Sequence, residues 1–105
     1  MKEDKMYLIN RMFFNENIRT VWDKEDEKYY ISIVDVVGGL SGSSRPRKYW
    51  SDLKKRLIVE ENEVSEKIGH LKLKSQDGKY RMTDVCDIEE MFRIIESIPS
   101  KRLNL

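Results

Sequence analysis

The segment RPRKYWSDLKKRLIV, residues 45–59, predicts the longest helix of this 105-residue chain and determines how the neighbouring segments pack. Pro46 suits the first turn of a helix, where its missing N–H removes no hydrogen bond. Four large apolar side chains then recur at helical spacing and predict a buried stripe; they are Tyr49, Trp50, Leu53 and Leu57. We therefore expect a helix from about Arg45 to Val59 with one face against a hydrophobic core.

The opposite side of this helix is basic. Between Arg45 and Arg56 the chain has six basic residues and a single acidic one, Asp52. On a helical wheel at about 100° per residue, the side away from the stripe holds Arg47, Lys48, Ser51, Lys54 and Lys55. Exposed helices usually interleave charges of opposite sign, because i,i+4 pairs help to stabilise them. The scarcity of such opposite-charge pairs in this helix indicates a surface for an anionic partner. The solvated face of a lysine-rich protein would show the same pattern.

The residues before this helix predict a β-hairpin and a shorter helix. Ile18–Trp22 and Tyr29–Ile33 are rich in β-branched and aromatic residues, and the charged stretch DKEDEK between them is typical of a hairpin turn. Ser32 with Asp35 three positions later has the spacing of a capping box, which predicts a helix from about Ile33 to Leu40.

A glycine-rich stretch, GGLSGSS at residues 38–44, predicts a mobile turn between the two helices. Gly38 and Gly39 are each expected to weaken the end of the shorter helix by about 1 kcal/mol relative to Ala. The stretch lacks the Gly-Lys-Ser/Thr sequence of a phosphate-binding loop, so it does not predict a nucleotide site.

After the long helix, an acidic connection at residues 60–66 leads to a second hairpin. His70–Lys74 (HLKLK) alternates apolar and basic residues, Gln76-Asp77-Gly78 predicts a turn, and Lys79–Met82 is the returning strand. Its basic side chains are Lys72, Lys74, Lys79 and Arg81. A basic helix followed by a basic hairpin resembles a helix-plus-wing arrangement, in which the helix contacts bases and the hairpin contacts phosphates.

A final helix is predicted to begin at Asp87, which has Glu90 three residues later, and to end at Pro99. The residues expected on its core face are Ile88, Met91, Phe92 and Ile95. We interpret Asp84 and Glu89, together with Asp87 and Glu90, as negative charge that stabilises the N-terminus of this helix. Under this interpretation they are neither metal ligands nor acid–base groups.

The order of these segments predicts a small single domain of the α+β class, with a β-hairpin, two helices, a wing-like β-hairpin and a C-terminal helix. The domain is expected to span residues 11–100, after a flexible N-terminus at residues 1–10 and before a tail at residues 101–105. Hydrophobic residues make up 39% of the chain and charged residues 37%, as in a globular domain with a highly charged surface. No apolar run approaches the length of a bilayer span, so no membrane partner is expected.

Charge is unevenly distributed along the chain. The net charge is only +1, but residues 45–81 hold eleven Lys or Arg against six Asp or Glu, which leaves a net −4 on the remaining residues. Segregation of this kind creates a local positive potential that attracts an anionic partner.

Residues with catalytic or metal-binding chemistry are few. Cys86 and His70 are the only cysteine and the only histidine, too few for a zinc site. No nucleophile motif accompanies His70, and Cys86 lies among apolar neighbours that predict its burial. We therefore expect no enzyme, no cofactor and no metal. A single cysteine also fits a reducing compartment, so a cytoplasmic location is expected.

Two stretches resemble a known family. IRTVWDKEDEKYYISIVDVVGGLSGSSRPRKYWSDLKKRL (Ile18–Leu57) and DGKYRMTDVCDIEEMFRIIESIPS (Asp77–Ser100) are similar to the Bro-N domain. That domain is found at the N-terminus of baculovirus repeated-ORF proteins, phage antirepressors and bacterial DNA-damage-inducible protein D. The resemblance covers most of residues 18–100 and implies an α+β DNA-binding module used in phage or prophage regulation or in a DNA-damage response.

Charge pattern and resemblance together predict a DNA-binding protein whose partner is double-stranded DNA. The residues expected at the interface are Arg45, Arg47, Lys48, Ser51, Lys54, Lys55, Lys72, Lys74, Lys79 and Arg81. The alternative is an antirepressor-like module that binds a repressor or a recombination protein and has no DNA affinity of its own; the acidic segments Asp23–Glu27 and Glu60–Glu66 favour it. A homodimer that pairs its hairpins to contact two half-sites is also compatible with the sequence.

Overall fold

The computed structural model describes residues 18–60 and 66–98. Four strands and three helices follow one another in these residues: β1 (Thr20–Asp23), β2 (Lys28–Ser32), α1 (Ile33–Ser41), α2 (Pro46–Glu60), β3 (Gly69–Lys74), β4 (Tyr80–Cys86) and α3 (Ile88–Glu96). The predicted α+β class and the order of elements are confirmed. The predictions for residues 1–10, for most of the acidic connection, for Pro99 and for the tail at residues 101–105 lie outside the described residues.

The four strands form one antiparallel sheet in the order β1-β2-β4-β3. β3 and β4 pair along their length, from Gly69 opposite Val85 to Lys74 opposite Tyr80. β4 continues to Cys86, four residues beyond the predicted end at Met82, because Val85 and Cys86 are buried and pair with β2. The second hairpin is therefore part of the central sheet at its base and projects from it only towards its turn.

The core lies where the apolar faces of the three helices meet Ile31 and Cys86 of the sheet. The predicted stripe of α2 is confirmed, with Trp50, Leu53 and Leu57 buried and Tyr49 packed at the edge of the core. In α3 the fully buried side chains are Met91, Ile94 and Ile95, while the predicted Ile88 and Phe92 are partly buried. Within the described residues no helix has the length and apolar content needed to cross a bilayer.

The predicted capping box at the start of α1 is wrong. Ser32 stands at the N-cap position but makes no side-chain cap hydrogen bond. Arg19 engages both residues instead: its Nε donates to Asp35 Oδ2 at 2.8 Å, and its Nη2 donates to Asp35 Oδ1 at 3.1 Å and to Ser32 Oγ at 3.4 Å. A bidentate salt bridge between a guanidinium and a carboxylate is stronger than a hydrogen bond between neutral groups. Arg19, distant in sequence, therefore replaces the local cap.

The predicted helix from Ile33 to Leu40 is confirmed to within one residue: α1 passes through both glycines, ends at Ser41 and is capped by Gly42 with φ of 69°. Gly38 is required for packing. A Cβ at that position would lie 2.8 Å from Cβ of Pro46, at the first residue of α2. The missing side chain thus allows the two helices to approach each other closely at this point.

Candidate nucleic-acid interface

The basic residues of α2 lie in two groups, Arg47 and Lys48 near its N-terminus and Lys54, Lys55 and Arg56 in its second half. Arg47 and Lys48 lie in the first turn, which contains no acidic residue. The N-terminus of a helix carries a partial positive charge, so cations there interact unfavourably with the helix dipole and do not stabilise the helix. All side chains of the surface that we call the basic face are exposed; they are Arg45, Arg47, Lys48, Ser51 and Lys55. Interaction with the helix dipole therefore does not explain the cations of the first turn, Arg47 and Lys48.

The cations of α2 differ in how far their charge is already balanced. Lys48 Nζ lies 3.5 Å from Asp52 Oδ2, an exposed i,i+4 pair of the kind that contributes little. Arg56 donates to the backbone carbonyl of Ser97 at 3.1 Å. Lys54, predicted to face a ligand, is half-buried and pairs with Asp84. Within residues 18–60 and 66–98, the side chains of Arg45, Arg47 and Lys55 form neither an ion pair nor a hydrogen bond.

Asp84 joins α2 to the second hairpin. Its carboxylate accepts hydrogen bonds from Trp50 Nε1 at 2.9 Å and from Lys54 Nζ at 2.9 Å, and it lies 2.8 Å from His70 Nδ1. Burial raises the pKa of the Asp84 carboxyl, but the bonds from Lys54 and Trp50 outweigh burial, and the net shift of the pKa is downward. The carboxylate therefore stays ionised at the junction of helix and sheet.

The interpretation of Asp84 as a helix-capping charge is wrong, because it lies inside β4. The prediction is confirmed for the other three residues: Asp87 Oδ1 accepts from the backbone N–H of Glu90 at 2.9 Å, and Glu89 and Glu90 lie in the first turn of α3. His70, which was assigned no role, is the cross-strand partner of Asp84. Counting back from the Asp77-Gly78 turn would have placed His70 opposite Asp84, so the sequence did contain a signal for this pair.

One face of the second hairpin combines lysines with exposed apolar side chains. Lys72 pairs with Met82 and Lys74 with Tyr80, and directly opposed residues of an antiparallel pair share a face of the sheet. We call these four residues the wing face. All four are exposed, Tyr80 by 66% and Met82 by 61% of its surface. The pair of His70 and Asp84 continues this face towards α2.

Arg81 and Lys79 have different surroundings from the wing face. Arg81 lies on the other face of the hairpin, opposite Leu73, and holds Asp77 through two hydrogen bonds of 3.0 and 2.6 Å. The Arg81 guanidinium, helped by the backbone N–H of Lys79, lowers the pKa of Asp77 to about 2. The charge of Arg81 is therefore balanced within the turn, whereas the exposed side chain of Lys79 has no partner in the described part of the chain.

Two adjoining clefts separate the basic face from the hairpin. The smaller, of about 220 Å³, is lined by Arg47 and Trp50 from α2 and by Met82 and Asp84 from β4. The larger, of about 710 Å³, reaches the hairpin turn, and its cationic lining residues are Arg19, Arg47, Lys74 and Arg81. We call both clefts together the groove. Since Arg19 is paired with Asp35 and Arg81 with Asp77, the groove presents Arg47 and Lys74 as its unbalanced cations.

Metal-binding and thiol chemistry find no support within residues 18–60 and 66–98. No group of three or more His, Cys, Asp or Glu is arranged to hold a metal ion in that part of the chain. Cys86 is fully buried, and burial, followed by the charge of Asp87, raises the pKa of its thiol, so the reactive thiolate form is disfavoured. The chemistry available at the groove is therefore recognition by charge and by aromatic contact.

Comparison with known proteins gives no further assignment. No protein-family model matches the chain, and searches of curated proteins and of solved structures found no match. The resemblance to the Bro-N domain therefore stays a prediction from the two sequence stretches. The site is defined by its own geometry, a basic helix face and a hairpin face on the two sides of one cationic groove.

Proposed function

We propose that this protein is a DNA-binding module of a phage-type or DNA-damage-linked regulator, with duplex DNA held between the basic face of α2 and the second hairpin. One observation carries the proposal: Arg47 of α2 and Lys74 of the second hairpin line the same groove, and neither has a charge partner in the described residues. Further exposed cations without a partner in those residues are Arg45 and Lys55 on the basic face and Lys72 and Lys79 on the hairpin.

The dimensions of α2 suit a duplex. Its 15 residues make a rod of about 22 Å at 1.5 Å per residue. The major groove of B-DNA is about 12 Å wide and admits a helix, while its phosphates remain within reach of flanking lysines. In this arrangement the N-terminal half of α2 approaches the bases and the hairpin lysines contact the backbone, which fixes the register of the protein on the duplex.

Two residues from the predicted interface have a supporting role in the proposal. Lys54 is paired with Asp84 and Arg81 with Asp77, so neither presents a free charge to a phosphate. Lys54 contributes by holding α2 against β4. Arg81 contributes by closing the hairpin turn, which keeps Lys74 and Lys79 in place.

The test is a fluorescence-anisotropy titration of a labelled duplex of about 20 base pairs at several salt concentrations. Each phosphate contact contributes about −0.9 to the slope of log K against log salt. Engagement of all six unpartnered cations therefore predicts a slope of about −5. The double substitution Arg47→Ala with Lys55→Ala should flatten the slope by about two units. Absence of binding at low salt, to duplex and to single strands alike, would overturn the proposal.

A second candidate is a protein-interaction module without DNA affinity, which binds a repressor or a recombination protein. It is favoured by the β1–β2 hairpin, where exposed Trp22 and Tyr29 form an edge-to-face pair at 4.9 Å beside an exposed acidic turn, residues 24–27. Aromatic side chains of this kind are enriched in protein interfaces. Loss of a partner in Trp22→Ala, together with no DNA binding by the unaltered protein, would favour this candidate. Both candidates include the expected cytoplasmic location.

A further inference from the structure

The wing face has a composition that phosphate binding alone does not require. Lys72 and Lys74 supply positive charge, but their cross-strand partners are Met82 and Tyr80, with 61% and 66% of their surface exposed. Isolated exposed apolar residues are ordinary on protein surfaces. Here two of them occupy consecutive positions on one face of one strand, each directly opposite a lysine, so that they form a continuous patch.

Folding does not explain this patch. A strand with one buried face normally places polar residues on the other. The opposite face of the hairpin holds the two leucines of β3, Leu71 and Leu73, of which Leu73 is buried. The side chain of Tyr80 makes no hydrogen bond, ion pair or ring contact in the described part of the chain. Its ring and the thioether of Met82 therefore present apolar surface to solvent, each opposite a lysine.

The chemistry of the patch selects its ligand. Two lysines attract an anion, and a flat ring on the strand opposite them favours a flat, polarisable group attached to that anion. A nucleotide has both parts, a phosphate and a base. In an intact duplex the faces of the bases are covered by their stacked neighbours, so a ring such as that of Tyr80 stacks only on an unpaired base.

We propose that the wing face binds unpaired nucleotides by stacking a base on Tyr80 while Lys72 and Lys74 hold the adjoining phosphates. The inference rests on the proposed function and names its substrate class: a duplex continued by a single-stranded segment. Arg47 of α2 and Met82 of the wing face line the same cleft. A strand that leaves a duplex held on α2 therefore passes directly onto the wing face.

The experiment compares three DNA ligands by anisotropy: a blunt duplex, the same duplex with an overhang of about eight nucleotides, and the same overhang built from abasic sites. The abasic overhang keeps every phosphate and removes every base. We expect the natural overhang to bind about tenfold more tightly than the other two ligands, the range seen for stacking of one or two bases. In Tyr80→Ala this preference should disappear with unchanged affinity for the blunt duplex, while Tyr80→Phe should keep it.

Tyr29→Ala is the matched control, since it removes an exposed tyrosine from the opposite hairpin of the same sheet. Equal affinity of the unaltered protein for the natural and the abasic overhang would overturn the inference and leave the proposed function standing. An overhang preference that survives Tyr80→Ala would also overturn it. Failure of all three ligands to bind would overturn the proposed function itself.

Discussion

Asp84 is the residue through which α2 and the second hairpin hold each other in place. Its carboxylate contacts the indole of Trp50, the ammonium of Lys54 and the imidazole of His70. Trp50 is 5% exposed, so its N–H loses its acceptor in a largely buried position if the carboxylate is removed. An unsatisfied buried donor costs free energy that a lost surface contact does not.

We expect Asp84→Ala to lower the free energy of unfolding by about 2 kcal/mol, because two donors lose a charged acceptor. Asp52→Ala is the control: it removes an acidic residue whose exposed pair with Lys48 contributes well under 1 kcal/mol. Urea unfolding followed by tryptophan fluorescence measures both. If Asp84→Ala lowered the free energy of unfolding no more than Asp52→Ala, the role of Asp84 in joining α2 to the hairpin would be contradicted.

Acid should weaken the same junction. The folded-state pKa of Asp84 lies below its ordinary value of 3.8, so its ionised form is favoured by folding. The stability that it contributes is fully present above about pH 5 and is lost as the pH falls through the ordinary value to the lower, folded one. We expect the difference in urea midpoint between the unaltered protein and Asp84→Asn to shrink as the pH falls below 4. A difference in urea midpoint that grew with falling pH would contradict the lowered pKa of Asp84 in the folded protein.

Lys54 and Lys55 are neighbours in sequence with different expected roles. Lys55→Ala should leave the unfolding free energy within about 0.5 kcal/mol and reduce the salt slope of DNA binding by about one unit. Lys54→Ala should lower the unfolding free energy by about 1 kcal/mol, because Asp84 loses an ion-pair partner. Lys24→Ala, in the acidic turn of the first hairpin, controls for loss of one exposed lysine. Equal effects of Lys54→Ala and Lys55→Ala on both measurements would contradict this division.

At the scale of elements, the contact between α1 and α2 depends on one glycine. Gly38→Ala should be destabilising, because its Cβ would lie 2.8 Å from Cβ of Pro46 and the helices would have to separate. Gly39→Ala should be stabilising by about 0.5–1 kcal/mol, since no atom lies within 4 Å of its Cβ and Ala favours the helix. Thermal unfolding of the two variants measures both effects. Changes of the melting temperature with the same sign would contradict the close approach of the two helices at Gly38.

The elements with a strong local pattern were predictable from the sequence. The α2 stripe of Trp50, Leu53 and Leu57 follows from helical spacing alone, and Asp87 caps α3 as its position relative to Glu90 predicts. The errors concern residues whose partners lie far away in the chain. Asp35 was assigned to a cap three residues before it, but its partner is Arg19, sixteen residues away.

Two further errors have the same physical origin. Asp84 precedes a helix in sequence, which favours a capping role. Its role in joining α2 to the hairpin depends on the pairing of β4 with β3 and on the hydrogen bond from Trp50 of α2. Gly38 was judged by its helix propensity, whereas its role depends on contact with Pro46 of the next helix. Local energies of about 1 kcal/mol decide the structure only where no tertiary contact competes with them.

At the scale of the whole molecule, the fold separates charge of opposite sign. The first hairpin turns at residues 24–27 and the second at residues 75–79, and antiparallel pairing of β2 with β4 directs the two turns to opposite ends of the sheet. The first turn is mainly acidic, while the groove lies beside the second. A near-neutral protein thereby acquires a dipole that orients it during approach to an anionic surface.

The position of β3 at an edge of the sheet has a consequence for self-association. Within the described residues β3 pairs only with β4, so its other side presents backbone donors and acceptors to which a second chain could add as a strand. Exposed lysines on an edge strand discourage such addition, since two copies would bring like charges together. Lys72 and Lys74 therefore disfavour edge-to-edge association of two copies. If DNA binds as proposed, it would neutralise these lysines, and neighbouring copies on one strand could then associate edge to edge.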